Sequence, residues 1–97
     1  MFTGTLVVDL LLGDVHTLKE KRSLVRPLVA DLRRQYAVSA AEVGDTDLYR
    51  RAQVAVAVVA DEAGHVSEVL DACERMVAGR PELDLLSARR WLRGLDD

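Results

Sequence analysis

Two stretches of the chain are apolar in both alternating registers, and two others are apolar only at every third or fourth position. Phe2 to Leu12 (FTGTLVVDLLL) and Gln53 to Ala60 (QVAVAVVA) are rich in β-formers and apolar in both alternating registers. That pattern predicts central strands. Val38 to Val43 reads as a short strand closed by the turn residues Gly44, Asp45 and Asp47, and Glu82 to Arg90 reads as the last strand. Between them, Leu18, Val25, Leu28, Val29, Leu32 and Tyr36 recur at helical spacing, as do Val66, Val69, Leu70, Cys73 and Val77. Thr17 and Glu20 have the spacing of a capping box, and Asp61 is the expected N-cap of the second helix. Gly79 and Pro81 end that helix. Pro27 predicts a kink in the first helix, or a restart after Ser23, because proline removes an intrahelical bond.

The order β-α-β-β-α-β predicts one α+β domain, a ferredoxin-like βαββαβ two-layer sandwich. Right-handed crossovers bring both helices onto one face of an antiparallel sheet of order 4-1-3-2. The two most apolar strands then fall in the middle, so pattern and topology agree. The expected ordered core is about residues 2–91, with a C-terminal tail at 92–97 whose acidic end frays.

Composition narrows the function classes. Ninety-seven residues suit a single core, and 49% hydrophobic with 30% charged residues is ordinary for a globular domain. No apolar run is long enough to span a bilayer, and the segment starting at Phe2 lacks the basic region of a signal peptide. A lone Cys73 allows no intrachain disulfide and no cysteine-based metal site. A cytoplasmic protein is the expectation. No GxGxxG, Walker A, GxSxG or HExxH pattern occurs, so nucleotide and hydrolase templates fail, and neither a catalytic residue, a cofactor nor a metal is assigned.

Charge changes the picture most. The net charge is −3, yet Thr17 to Tyr36 holds Lys19, Lys21, Arg22, Arg26, Arg33 and Arg34 against only Glu20 and Asp31. That segment is therefore +4 and the remainder −7. These six cations are the candidate nucleic-acid or partner-binding residues. On a helix, Lys19, Arg22, Arg26 and Arg33 fall within about a 60° sector, with Arg34 nearby. Such a row suits the phosphates of an RNA helix, where shape and backbone contacts dominate. The plainer alternative is a solvated face that keeps the protein soluble. Phe2, Tyr36, Tyr49 and Trp91 form no paired strand aromatics, which places any RNA on the helix and not on the sheet.

Three further features have two readings each. The uncovered registers of the first and third strands (Thr3, Thr5, Val7, Asp9, Leu11 and Ala55, Ala57, Val59) are small and fairly apolar, as in a sheet-on-sheet homodimer or a bland exposed sheet. Asp14, His16, Asp45 and Asp47 lie in two loops expected at one end of the fold, near Lys19 and Lys21. They form a weak metal or acid–base candidate or simply turns. Cys73 lies on an apolar stripe, so a small buried hydrophobe is expected in place of a nucleophile. His65 is expected exposed at the start of the second helix, and Asp9 is expected to pair with Arg89 or Arg90.

HTLKEKRSLVRPLVADLRRQY, followed by VSAAEVGDTDL and QVAVAVVA, resembles the YlxP-like family of bacterial domains of unknown function. The likeness runs from about Phe2 to Arg90, and the block Leu18 to Ser23 is its most specific part. The resemblance implies a ferredoxin-like fold, a bacterial cytoplasmic setting and genes placed beside those of translation initiation and ribosome maturation. It carries over no catalytic residues. The leading expectation is a non-enzymatic accessory protein that meets ribosomal RNA or a ribosome-maturation protein through its basic helix. The alternatives are a homodimeric module docking an acidic protein, and, behind it, a small metal-dependent enzyme using Asp14, His16 and Asp47.

Overall fold

A computed structural model describes residues 1–95 and has the expected order: β1 (Phe2–Leu12), α1 (Leu18–Tyr36), β2 (Ser39–Val43), β3 (Arg51–Ala60), α2 (Ala63–Ala78) and β4 (Leu83–Gly94). The sheet order is β2-β3-β1-β4 with every neighbouring pair antiparallel. This is the 4-1-3-2 arrangement seen from its other edge, a ferredoxin-like α+β sandwich.

β1 organises the molecule because it pairs along its whole length on both sides. Leu6, Val8, Leu10 and Leu12 project from one face into the core, where they meet Val54 and Val56 of β3. Val25, Leu28 and Leu32 of α1 and Val66, Leu70, Cys73 and Val77 of α2 close that core from above. Burying each such branched side chain contributes about 1.5–3 kcal/mol, which is why the helices are fixed to this face. Gly4 sets how close α2 can come: a Cβ there would run into Val66 Cγ1 and Leu70 Cδ1. Among the described residues the other face of the sheet carries no helix.

Several local expectations are corrected. α1 runs unbroken through Pro27, so it does not restart after Ser23. Pro27 and Ser23 are both exposed, and the Ser23 carbonyl that loses its helical partner lies on the wet side of the helix. Thr17 caps α1 by accepting from the Glu20 N–H at 3.1 Å, but its hydroxyl meets Glu20 Oε1 at 3.3 Å, so only half of a capping box forms. The N-cap of α2 is Glu62 rather than Asp61, and it makes no side-chain cap bond.

The largest difference lies at the C-terminus. β4 continues through Arg90 to Gly94, carrying Trp91, Leu92 and Arg93 into the sheet. The cause is non-local: the start of β1 offers an unpaired edge, and Gly94 lies opposite Phe2. A β-bulge at Leu86 sets the register, with Ser87 opposite Asp9 and Leu85 opposite Leu10. The expected frayed end, Asp96 and Asp97, falls outside the described residues.

Candidate nucleic-acid interface

The six cations of α1 separate into those used inside the molecule and those left outside. Lys21 belongs to the first group. It lies on the core-facing stripe with Val25 and Leu28, is only 1% exposed, and donates from Nζ to the Thr46 carbonyl at 3.0 Å. Nζ also lies 2.8 Å from Glu42 Oε2. That approach misses the angle a hydrogen bond needs, so Oε2 is paired by charge alone. Lys21 thus ties α1 to β2 and to the loop after it. It is out of reach of a partner and does not belong to the surface row.

Arg33 is exposed along its stem, but its guanidinium donates from Nε and Nη2 to the Ala40 carbonyl at 2.9 and 2.6 Å. β2 is an edge strand, and this fork occupies one of its carbonyls, which guards the edge against further pairing. Arg34 pairs with Asp31 at 2.7 Å, and Arg80, beyond α2, reaches the other oxygen of Asp31 at 2.5 Å. The Arg80 hydrogen bond holds the Asp31 carboxyl below the usual carboxylate range against a smaller opposing effect of burial. Asp31 therefore joins α1 to the turn that follows α2.

Lys19, Arg22 and Arg26 remain. They line one shallow groove on α1 with Ser23 and Pro27, and all three are exposed. None has an ion-pair or hydrogen-bond partner among the described residues. By helical angle their row shares the side of α1 that carries Arg33, whose guanidinium reaches β2. Glu20 is held at the Thr17 cap and Asp31 by its two arginines, so neither acid of α1 neutralises the row. Three exposed cations at helical spacing with no internal counter-charge can bridge neighbouring phosphates.

The loops after β1 and β2 do meet at one end. Leu12 N donates to the Arg50 carbonyl at 2.8 Å, and Arg50 Nε donates to the Gly13 carbonyl at 3.0 Å. The candidate ligands there nevertheless separate into two pairs. His16 Nε2 contacts Asp14 Oδ1 at 2.8 Å, both well exposed. Asp45 Oδ1 accepts from the Asp47 N–H at 3.1 Å, a turn contact. Among the described residues no three His, Cys, Asp or Glu side chains come together as a metal site.

The uncovered sheet face carries two surprises. Asp9 does not pair with an arginine: its carboxylate accepts from Gln53 Nε2 at 2.7 Å and from Ser87 Oγ at 2.8 Å. Those two donors, chiefly Gln53, hold its carboxyl below the usual range. Arg90 lies on the opposite face and binds Asp71 at 2.8 Å and Glu74 at 3.0 Å, which clamps α2 to β4. The second surprise is Trp91. With β4 extended, Arg89, Trp91 and Arg93 alternate on the uncovered face opposite Val7, Thr5 and Thr3. The sequence reading missed this stripe by placing the end of the chain in a tail, although the period-2 pattern R-x-W-x-R was visible.

Cys73 is buried among the core side chains, and burial pushes its thiol up. Among the described residues no helix is long and apolar enough to cross a membrane. No curated protein matches the chain. A family model described as "Protein of unknown function (DUF503)" matches residues 3–90, and the chain belongs to that family.

Proposed function

We propose that this domain is a non-enzymatic accessory protein of the bacterial cytoplasm, a YlxP-like member of its family that binds ribosomal RNA through α1. The observation that carries the reading is the exposed row Lys19, Arg22 and Arg26, which no acidic group of the described residues neutralises. Double-stranded RNA presents phosphates and 2′-hydroxyls across a shallow minor groove, and a helix with cations along one side fits that shape without reading sequence. The separated Asp14–His16 and Asp45–Asp47 pairs lend no support to a metal-dependent reaction.

The test is co-sedimentation with ribosomal subunits across a salt series, comparing the wild type with Lys19→Glu/Arg22→Glu/Arg26→Glu. Arg33 and Lys21 are left intact because both hold the fold. Salt-sensitive binding that the variant loses, with the salt slope lower by about 2–3 for three lost phosphate contacts, supports the reading. Binding that the variant retains in full removes α1 as the contact. Absence of binding by both proteins at low salt removes the ribosome.

A further inference from the structure

The uncovered sheet face is not uniform along β4. Toward its bulge lie Asp9 and Asp84, in register with Ser87 and Leu11. Toward its end lie Arg89, Trp91 and Arg93, with no acidic residue in the cross-strand rows they share with β1 and β3. Trp91 is 56% exposed, a large aromatic surface for a sheet to leave in water. The Arg89 guanidinium carbon lies 6.0 Å from the centre of its ring, at the outer limit of a cation–π contact. Neither Arg89 nor Arg93 has an ion-pair partner among the described residues, in contrast to Arg90 on the other face. At the usual rise of a strand, Arg89 and Arg93 stand about 13 Å apart with Trp91 midway.

We propose that Arg89, Trp91 and Arg93, with Thr3 and Thr5 beside them, form a site for single-stranded RNA, in which a base stacks on Trp91 and the two arginines hold the flanking phosphates. An exposed aromatic between two cations that have no ion-pair partner among the described residues supplies the two contacts that single strands use, stacking and backbone attraction. A duplex cannot use this site, because its bases are already stacked on one another. The site lies on the sheet face away from α1 and stands independently of the α1 reading; it departs from the expectation that RNA would meet only the helix, because β4 carries Trp91 into the sheet. Charge complementarity selects the occupant: among the described residues the rows around Trp91 carry two arginines and no carboxylate. Thr5, directly opposite Trp91, and Thr3, opposite Arg93, put hydroxyls where a ribose 2′-OH can be met.

Trp91 is the chain's single tryptophan, so its fluorescence reports on the site directly. A short oligouridine is titrated into the wild type, into Arg89→Gln/Arg93→Gln, and into the α1 variant Lys19→Glu/Arg22→Glu/Arg26→Glu. Saturable quenching is expected in the wild type and the α1 variant alike. In Arg89→Gln/Arg93→Gln, which keeps the fluorophore, the apparent affinity should fall at least about tenfold, through lost phosphate contacts. Trp91→Leu, followed by fluorescence anisotropy of labelled oligouridine, should lose about fivefold or more, the stacking contribution of one base. Circular dichroism spectra matching the wild type show that each variant is folded. No saturable quenching in the wild type overturns the proposal. So does equal quenching by inorganic polyphosphate, by an RNA duplex or by oligothymidylate. A fluorescence change that tracks protein concentration alone assigns the face to a second copy of the chain and also overturns it. Loss of quenching in the α1 variant overturns the independence of the two surfaces, whereas failure of ribosome binding leaves this site untouched.

Discussion

α1 and α2 lie side by side on one face of one sheet, and they spend their charges in opposite ways. α1 carries six cations against two acids, and α2 carries one arginine against three carboxylates. In α2, Asp71 and Glu74 are both bound by Arg90 of β4, so its charge serves to hold the helix down. In α1 the charges divide. Lys21, Arg33 and Arg34 serve internal contacts, and Lys19, Arg22 and Arg26 have none among the described residues. A count of cations therefore overstates the surface by a factor of two. The residues that define an interface are those left over when the fold has taken its share.

The sharpest way to break the comparison is to remove each helix's ionic tether. Lys21→Met should cost about 3 kcal/mol in urea denaturation, because it leaves Glu42 and the Thr46 carbonyl facing a side chain that cannot donate. Arg90→Met removes two bonds on α2 but from a partly exposed site, and should cost under about 1 kcal/mol. Equal losses would mean that burial does not distinguish the two tethers.

A smaller effect lies at the helix ends, where the residues are the reverse of what the backbone favours. Ala37 closes α1 at φ 51°, in the left-handed region, while Gly79 closes α2 at φ −82°. Ala37→Gly should raise stability by about 0.5–1 kcal/mol, since glycine occupies that region without a Cβ penalty. Gly79→Ala gains backbone entropy but brings a Cβ to 3.3 Å from the Arg75 carbonyl, so its effect should stay within about 0.5 kcal/mol of zero. Thermal denaturation of both variants checks the contrast.

The smallest effect is expected where α1 meets the turn after α2. Asp31 of α1 is held ionised by the Arg80 hydrogen bond, so its folded pKa lies below its unfolded value. Its contribution is complete above the unfolded value of about 3.9 and is lost as pH falls through the folded one. Asp31→Asn should therefore flatten the fall in urea midpoint between neutral pH and pH 3. An unchanged acid limb would show that the clamp is silent.

The fold was legible because its signals are local: two apolar strands, two helical stripes and turn residues between them agree on one topology. The site was legible only in part. Lys19, Arg22 and Arg26 fall on one side of α1 by angle alone. Lys21 falls by the same angle on the stripe of Val25 and Leu28. Only Glu42 and Thr46, brought in from β2 and its loop, show that a lysine can be buried there. Asp9 was paired with the wrong partners because a strand reading does not show which cross-strand neighbour lies closest. Trp91 was placed outside the sheet because the length of β4 is set by its pairing with β1, a contact spanning nearly the whole chain.

The most direct measurement is an amide NMR titration of the isotope-labelled chain with a short blunt RNA duplex at low salt. A duplex offers phosphates to the proposed helix surface but no unstacked base to the proposed sheet site. The account predicts shift changes concentrated at Lys19, Arg22, Arg26 and their neighbours, lost on raising salt, with α2 unmoved. Changes centred on α2, or spread without preference for the α1 row, would contradict it.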